Sequence, residues 1–136
     1  MKAWKVGDGA QVVTLISKQT NEIFAALSGD KNPVHFDKER MSKTQFKGII
    51  ANGIQGISSI GTAIVKLFVT DETLVIALEQ HNSFIAPIRI GYNIFTTVTI
   101  DEVLPKNEYW LQCIIKDANT LKVLTSARFR VRVLEA

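Results

Sequence analysis

Ile50-Ala51-Asn52-Gly53-Ile54-Gln55-Gly56-Ile57-Ser58-Ser59-Ile60-Gly61-Thr62-Ala63-Ile64-Val65-Lys66-Leu67-Phe68 decides the architecture. Ile54, Ile57, Ile60, Ile64 and Leu67 recur every three or four residues, and Ile50 precedes them in phase. That period predicts one long helix from near Ile50 to about Phe68. Gly53, Gly56 and Gly61 each cost roughly 1 kcal/mol against alanine inside a helix. Their presence implies that a sheet or a ligand approaches the helix backbone closely. The uncharged run from Ile49 to Val65 falls short of the roughly 20 apolar residues of a membrane helix. It also carries Asn52, Gln55, Ser58, Ser59 and Thr62, which suit a buried helix of a soluble domain and not a lipid-facing one.

Downstream of this helix the chain changes character. Thr73–Ala86, Tyr92–Val103, Tyr109–Asp117 and Lys122–Leu134 are rich in Val, Ile, Thr and aromatics, and turn-forming stretches separate them. The last of these alternates, with Arg128, Arg130 and Arg132 on one face and Phe129, Val131 and Val133 on the other. Upstream, Val12–Ile16 reads as a short strand, and Ser17 as the cap of a helix over about Lys18 to Leu27. Ile23, Phe24 and Leu27 give that helix an apolar stripe. Gly29 and Pro33 end it. The order is strand, helix, long helix, then four strands on short connections, which favour antiparallel pairing. Five strands with one apolar face need a cover, and the long helix supplies it. The expected fold class is α+β: a single hot-dog fold, a five-stranded antiparallel sheet wrapped around a long central helix.

The chain has 136 residues and 46% hydrophobic content, the size of one ordinary domain spanning 1–136. The net charge of +3 comes without any long Lys/Arg block, so no nucleic-acid arm is expected. The single cysteine, Cys113, makes no internal disulfide, and a reducing cytoplasm is the expected location. Met1 to Asp8 is charged with no apolar stretch behind it, unlike a signal peptide. No membrane association is expected.

The stretch that bears chemistry is Phe24-Ala25-Ala26-Leu27-Ser28-Gly29-Asp30-Lys31-Asn32-Pro33-Val34-His35-Phe36-Asp37. It places a carboxylate, Asp30, and an imidazole, His35, on one loop, with Pro33 fixing the backbone between them and Asn32 able to brace the turn. Together they can hold one water, and imidazole exchanges protons near neutral pH. On spacing alone a second reading stands, and is the commoner arrangement: Asp30 caps the next turn and His35 is a satisfied, half-buried side chain.

Ser28-Gly29-Asp30-x-Asn32-Pro33-Val34-His35, preceded by Phe24 and Leu27, resembles the signature of the MaoC-like, (R)-specific enoyl-CoA hydratase family. Phe46-Lys47-Gly48-Ile49-Ile50-Ala51-Asn52-Gly53 resembles the stretch that opens that family's central helix, and Phe84-Ile85-Ala86-Pro87-Ile88 its Phe-x-x-Pro-Val-like segment. The resemblance spans essentially the whole chain. It implies that Asp30 and His35 are catalytic, activating a water that adds to a trans-2-enoyl thioester. It also implies that the Gly53 N–H receives the thioester oxygen. Free N–H groups at a helix start suit the enolate-like charge that forms there. Gly53, Asn32, Asn52 and Ser58 are the candidate substrate-binding residues. The implied substrate is carried on coenzyme A or an acyl carrier protein, with no cofactor and no metal. A homodimer with a continuous sheet, or a higher oligomer, is expected.

The sequence departs from the family pattern in four places. Asn52 stands where the family usually has histidine, Gly61 where some members have serine, Met41 where alanine is usual, and Gly91-Tyr92 where Gly-Asp is usual. These leave room for two further enzyme readings, an acyl-thioesterase or a double-bond-shifting enzyme, and for a non-catalytic acyl-thioester-binding module. Among the other residues, His81 reads as an edge or surface histidine and Cys113 as a small core residue. The arginine row reads as a solvated strand face in preference to a phosphate or carrier-protein contact. Trp4 and Trp110 read as packing or interface residues. Acyl length is expected to be set around Ile64 to Phe68 and Leu74 to Leu78.

Overall fold

The computed structural model describes residues 3–136; Met1 and Lys2, part of the N-terminal stretch read above, lie outside them. The chain order is β1 (Gly9–Ile16), α1 (Lys18–Ser28), a 3-10 turn (Pro33–His35), α2 (Lys38–Ser42), α3 (Gly53–Phe68), then β2 (Thr73–Phe84), β3 (Tyr92–Leu104), β4 (Glu108–Asp117) and β5 (Val123–Glu135). The strands form one antiparallel sheet in the order β1-β3-β4-β5-β2. This is the hot-dog arrangement, with α3 packed against the sheet's inner face. β1 and β2 form its two edges.

Period-two patterning builds the core. Ile94, Thr96, Val98 and Ile100 of β3, and Leu111, Cys113 and Ile115 of β4, face inward and are essentially inaccessible. Against them α3 buries Ile57, Ile60, Ala63, Ile64 and Phe68. Each large apolar side chain so buried contributes about 1.5–3 kcal/mol, which outweighs the glycine cost of about 1 kcal/mol per position. Trp4 closes one end of the core, its Nε1–H donating to the Leu67 carbonyl at 3.1 Å and its ring edge-on to Phe68. Among the described residues no helix is long and apolar enough to cross a membrane.

Four local expectations are corrected. α3 begins at Gly53, not near Ile50, because Asn52 takes the N-cap position in extended backbone (φ −65°, ψ 125°). The Ile50 and Ala51 N–H groups instead donate to the Val34 and Ile88 carbonyls. Apart from the helix's own backbone, no heavy atom of the described residues lies within 4 Å of where a Gly61 Cβ would stand, so close approach explains Gly53 and Gly56 but not Gly61. In α1 the inward face is Asn21 and Ala25, while Ile23 and Leu27 are 59% and 82% exposed. Finally, the arginine row is not simply solvated. Arg128 pairs with Asp101 and Glu102, Arg130 with Glu79 and Glu108, and Arg132 with Glu108.

Candidate active site

The site begins with the end of α1. Ser17 caps that helix through a reciprocal pair with Thr20, each side-chain oxygen accepting from the other's backbone N–H at 3.0 Å. Gly29 closes it in the left-handed region (φ 76°), its N–H returning to the Ala25 carbonyl. The chain then folds through two side-chain-braced turns. The Asn32 N–H donates to Asp30 Oδ1 at 3.1 Å, and the Val34 N–H to Asn32 Oδ1 at 3.2 Å. The His35 N–H returns to the Asn32 carbonyl at 3.0 Å, completing the 3-10 turn that presents the imidazole.

Two contacts orient the acidic and basic groups. Asn52 Nδ2 donates to Asp30 Oδ2 at 2.8 Å, so the amide at the family's usual histidine position braces the aspartate. His35 Nδ1 lies 2.7 Å from the Ile50 carbonyl. A carbonyl only accepts, so the proton sits on Nδ1 and the neutral ring keeps Nε2 as its acceptor. His35 is 8% exposed, and buried Asn21 donates from Nδ2 to its carbonyl at 3.1 Å.

Asp30, His35, Asn52 and Gly53 line one cleft of about 410 Å³. Its remaining walls are largely apolar, including Phe46, Ile54, Phe84, Pro87 and Ile88. At the start of α3 the Ile54 N–H is taken by Asn52 Oδ1 at 2.9 Å, and those of Gln55 and Gly56 by the Asn52 carbonyl. The Gly53 N–H is the first-turn donor left without an acceptor among the described residues. A Cβ at Gly53 would run into the Phe84 ring, and one at Gly56 would come within 2.5 Å of Ile88 Cδ1. Both glycines therefore let the helix start sit against the cleft wall.

Asn32 and Ser58 stand outside this cleft. Asn32 braces the loop backbone, and exposed Ser58 donates its hydroxyl to the Gln55 carbonyl at 2.5 Å. Nor do the segments expected to set acyl length line it. Ile64 and Phe68 belong to the core, whereas Leu74, Ile76 and Leu78 are exposed on the β2 edge. Cys113 is fully buried, and loss of solvation, with a smaller push from Asp101, drives its thiol up to about 12. It is a protonated core residue. His81 is exposed at the β2 edge, bonded to Glu79 at 2.8 Å. No group of three or more His, Cys, Asp or Glu side chains suited to a metal occurs among the described residues.

Sequence reasoning missed Asn21, Arg89 and Thr125. Arg89 Nη2 donates to the Phe46 carbonyl at 2.5 Å from across the chain, holding a residue that lines the cleft, and no local pattern marks it. Asn21 carries a weak signal as an amide four residues from Ala25 on a helix. Thr125 lines the cleft at 1% exposure. It lies in the inward register of β5, which the alternation made visible.

The fold and the cleft together define a hot-dog protein with a loop Asp/His pair opposite a helix N-terminus. The chain belongs to the MaoC like domain family, matching it over residues 8–111. It is 30% identical over 105 residues to an (R)-specific enoyl-CoA hydratase of Rhodospirillum rubrum, covering 77% of this chain and 72% of that protein. The solved structure of R-hydratase PhaJ1 from Pseudomonas aeruginosa in the unliganded form superposes with a TM-score of 0.83 at 28% identity, covering 98% of this chain and 86% of that one. The (R)-hydratase from A. caviae involved in PHA biosynthesis shares the fold with a TM-score of 0.87 at 22% identity, over 97% and 98% of the two chains.

Proposed function

We propose that this protein is a cytoplasmic enzyme that hydrates trans-2-enoyl thioesters to (R)-3-hydroxyacyl thioesters, or runs the reverse dehydration. The observation that carries this reading is the convergence of Asp30, His35 and the unbonded Gly53 N–H on one apolar cleft. The thioester oxygen sits on the Gly53 N–H at the positive end of α3, which stabilises the charge that develops as the nucleophile adds. His35 Nε2 accepts a proton from a water that Asp30 orients. The water oxygen bonds to the β-carbon, and one proton is returned to the α-carbon. Water thus adds across the double bond with nothing left over. The conjugated thioester supplies the activation, so no cofactor is called for, and the acyl group arrives on coenzyme A or an acyl carrier protein.

The same reading takes the protein to be a homodimer. β2 is a 12-residue edge strand that exposes Leu74, Ile76 and Leu78, and an open edge of that length invites pairing with a second copy. Sedimentation should return twice the 15.1 kDa chain mass.

The deciding experiment follows the enoyl-thioester absorbance with crotonyl-CoA and a longer enoyl-CoA, with free thiol assayed in parallel. Wild type should bleach the band without releasing thiol, and Asp30→Asn and His35→Ala should each lose at least about 100-fold in kcat. Thiol release would assign a thioesterase instead. Acyl-CoA binding with no turnover in any variant would leave a binding module.

A further inference from the structure

The inward register of β5 runs Thr125, Ala127, Phe129, Val131, Val133, and Thr125 is its one hydroxyl. Its Oγ1 is buried and has no hydrogen-bond partner among the described residues. Its cross-strand neighbours are Phe84 on β2 and Ile115 on β4, neither of which offers a side-chain acceptor or donor. Buried hydroxyls elsewhere in the sheet are satisfied. Thr96 Oγ1 lies 2.7 Å from Ser59 Oγ, and Thr73 donates to the Phe68 carbonyl at 2.7 Å. An unpaired buried hydroxyl costs stability that a valine of the same shape would not. Thr125 carries that cost where it lines the cleft, at 1% exposure the most enclosed of the lining residues.

We propose that Thr125 is a specificity-determining residue whose hydroxyl donates a hydrogen bond to an oxygen carried on the acyl chain of the substrate. The inference rests on the enoyl-thioester reading of the same cleft. Asp30, His35 and the Gly53 N–H occupy the reacting end, where thioester and double bond sit. Phe84 links that end to Thr125, since its ring abuts Gly53 and its backbone pairs with Thr125. Gly53, Phe84 and Thr125 line the one cleft, so an acyl chain seated at Gly53 shares that cavity with Thr125. A plain alkyl chain leaves that hydroxyl dry and unpaired, whereas a chain with an oxygen there satisfies it. Sites that present a buried hydrogen-bonding group discriminate strongly against ligands lacking the partner.

The test compares saturated, unreactive pantetheine thioesters, a handle common to both carriers, by calorimetry: heptanoyl against its 4-oxa, 5-oxa and 6-oxa isosteres. Wild type should bind at least one oxa isostere about tenfold more tightly than heptanoyl. Thr125→Val should bring that ratio to about one and bind heptanoyl more tightly than wild type does. Thr125→Ser should keep the preference, and circular dichroism checks that both variants fold. Wild type favouring heptanoyl over every isostere, or Thr125→Val keeping the ratio, would overturn the proposal. An oxa preference without turnover of any enoyl thioester sinks the hydratase reading alone. Turnover without a Thr125-dependent preference sinks this inference alone, and no binding of any member counts against both.

Discussion

Asn52 serves two structures with one amide, since its Oδ1 accepts from the Ile54 N–H and its Nδ2 donates to Asp30. Asn52→Asp separates them. Aspartate caps a helix as well as asparagine does, but it replaces the donor facing Asp30 with a second carboxylate oxygen, and like charges in contact repel. We expect Asn52→Asp to lose at least about tenfold in kcat. Through that repulsion at a buried position, its urea midpoint should fall further below that of wild type near pH 7 than near pH 4, where the new carboxyl is more protonated. Asn52→Ala, which removes cap and donor together, should also lose about 1 kcal/mol of stability. An Asn52→Asp enzyme as active as wild type would remove Asn52 from the positioning of Asp30. Asp30 and His35 were marked as candidates by the family-like signature of the one short loop that holds both, and both line the cleft. The contacts that support them were not legible. The carbonyl that fixes the histidine tautomer comes from Ile50, Asn21 reaches the His35 carbonyl from a helix, and Asn52 reaches Asp30 from the start of α3. Contacts of that kind are created by folding, and no local spacing encodes them.

At the scale of the element, α3 shows why three similar glycines had to be separated by structure. Gly53 and Gly56 lie against Phe84 and Ile88, whereas Gly61 faces open space on an exposed turn. Gly61→Ala then removes backbone freedom from the unfolded chain and adds helix propensity at no steric cost. It should raise stability by about 0.5–1 kcal/mol and leave kcat unchanged, as read by urea unfolding beside the hydration assay. Gly53→Ala must displace the Phe84 ring from the cleft wall and should lose activity. A destabilised Gly61→Ala would mean that something outside this chain approaches there. The four later strands were legible to within two residues, because period-two alternation is strong where one face is buried, whereas β1 starts three residues before the expected Val12. The orientation of α1 was not. Its apolar stripe suggested an inward Ile23 and Leu27, yet the helix turns Asn21 inward to hold the His35 carbonyl, so a polar requirement of the loop outweighed the hydrophobic pattern.

Across the whole molecule, the outer face of the sheet is stitched by the arginine row. Arg130 spans from Glu79 on β2 to Glu108 on β4, passing over its own strand, while Arg132 shares Glu108 and Arg128 reaches Asp101 and Glu102 on β3. Trp110 lies beneath Arg128, whose guanidinium is 4.4 Å from the ring centroid. With each guanidinium engaged inside the chain, the row is committed to holding strands together and is not a free phosphate-binding surface. The pairing also sets an acid limit. Hydrogen bonds from Arg132 and then Arg130 hold the Glu108 carboxyl below its ordinary value of 4.5, and those from His81 and Arg130 do the same for Glu79. A carboxyl whose folded value is depressed adds stability that is fully present above the unfolded value and is lost as pH falls through the folded one. Wild type should therefore lose stability as the pH drops from 6 to about 3, near and below the carboxylate range. Glu108→Gln removes the larger share of that dependence, since Glu108 is the more buried partner and serves two arginines. It should be less stable than wild type at pH 6 and close to it at the acid end. Urea unfolding at fixed protein concentration reads both slopes, the concentration being held because dimerisation would otherwise shift the midpoint. Equal slopes for the two proteins would place the acid sensitivity elsewhere, in carboxylates this network does not touch.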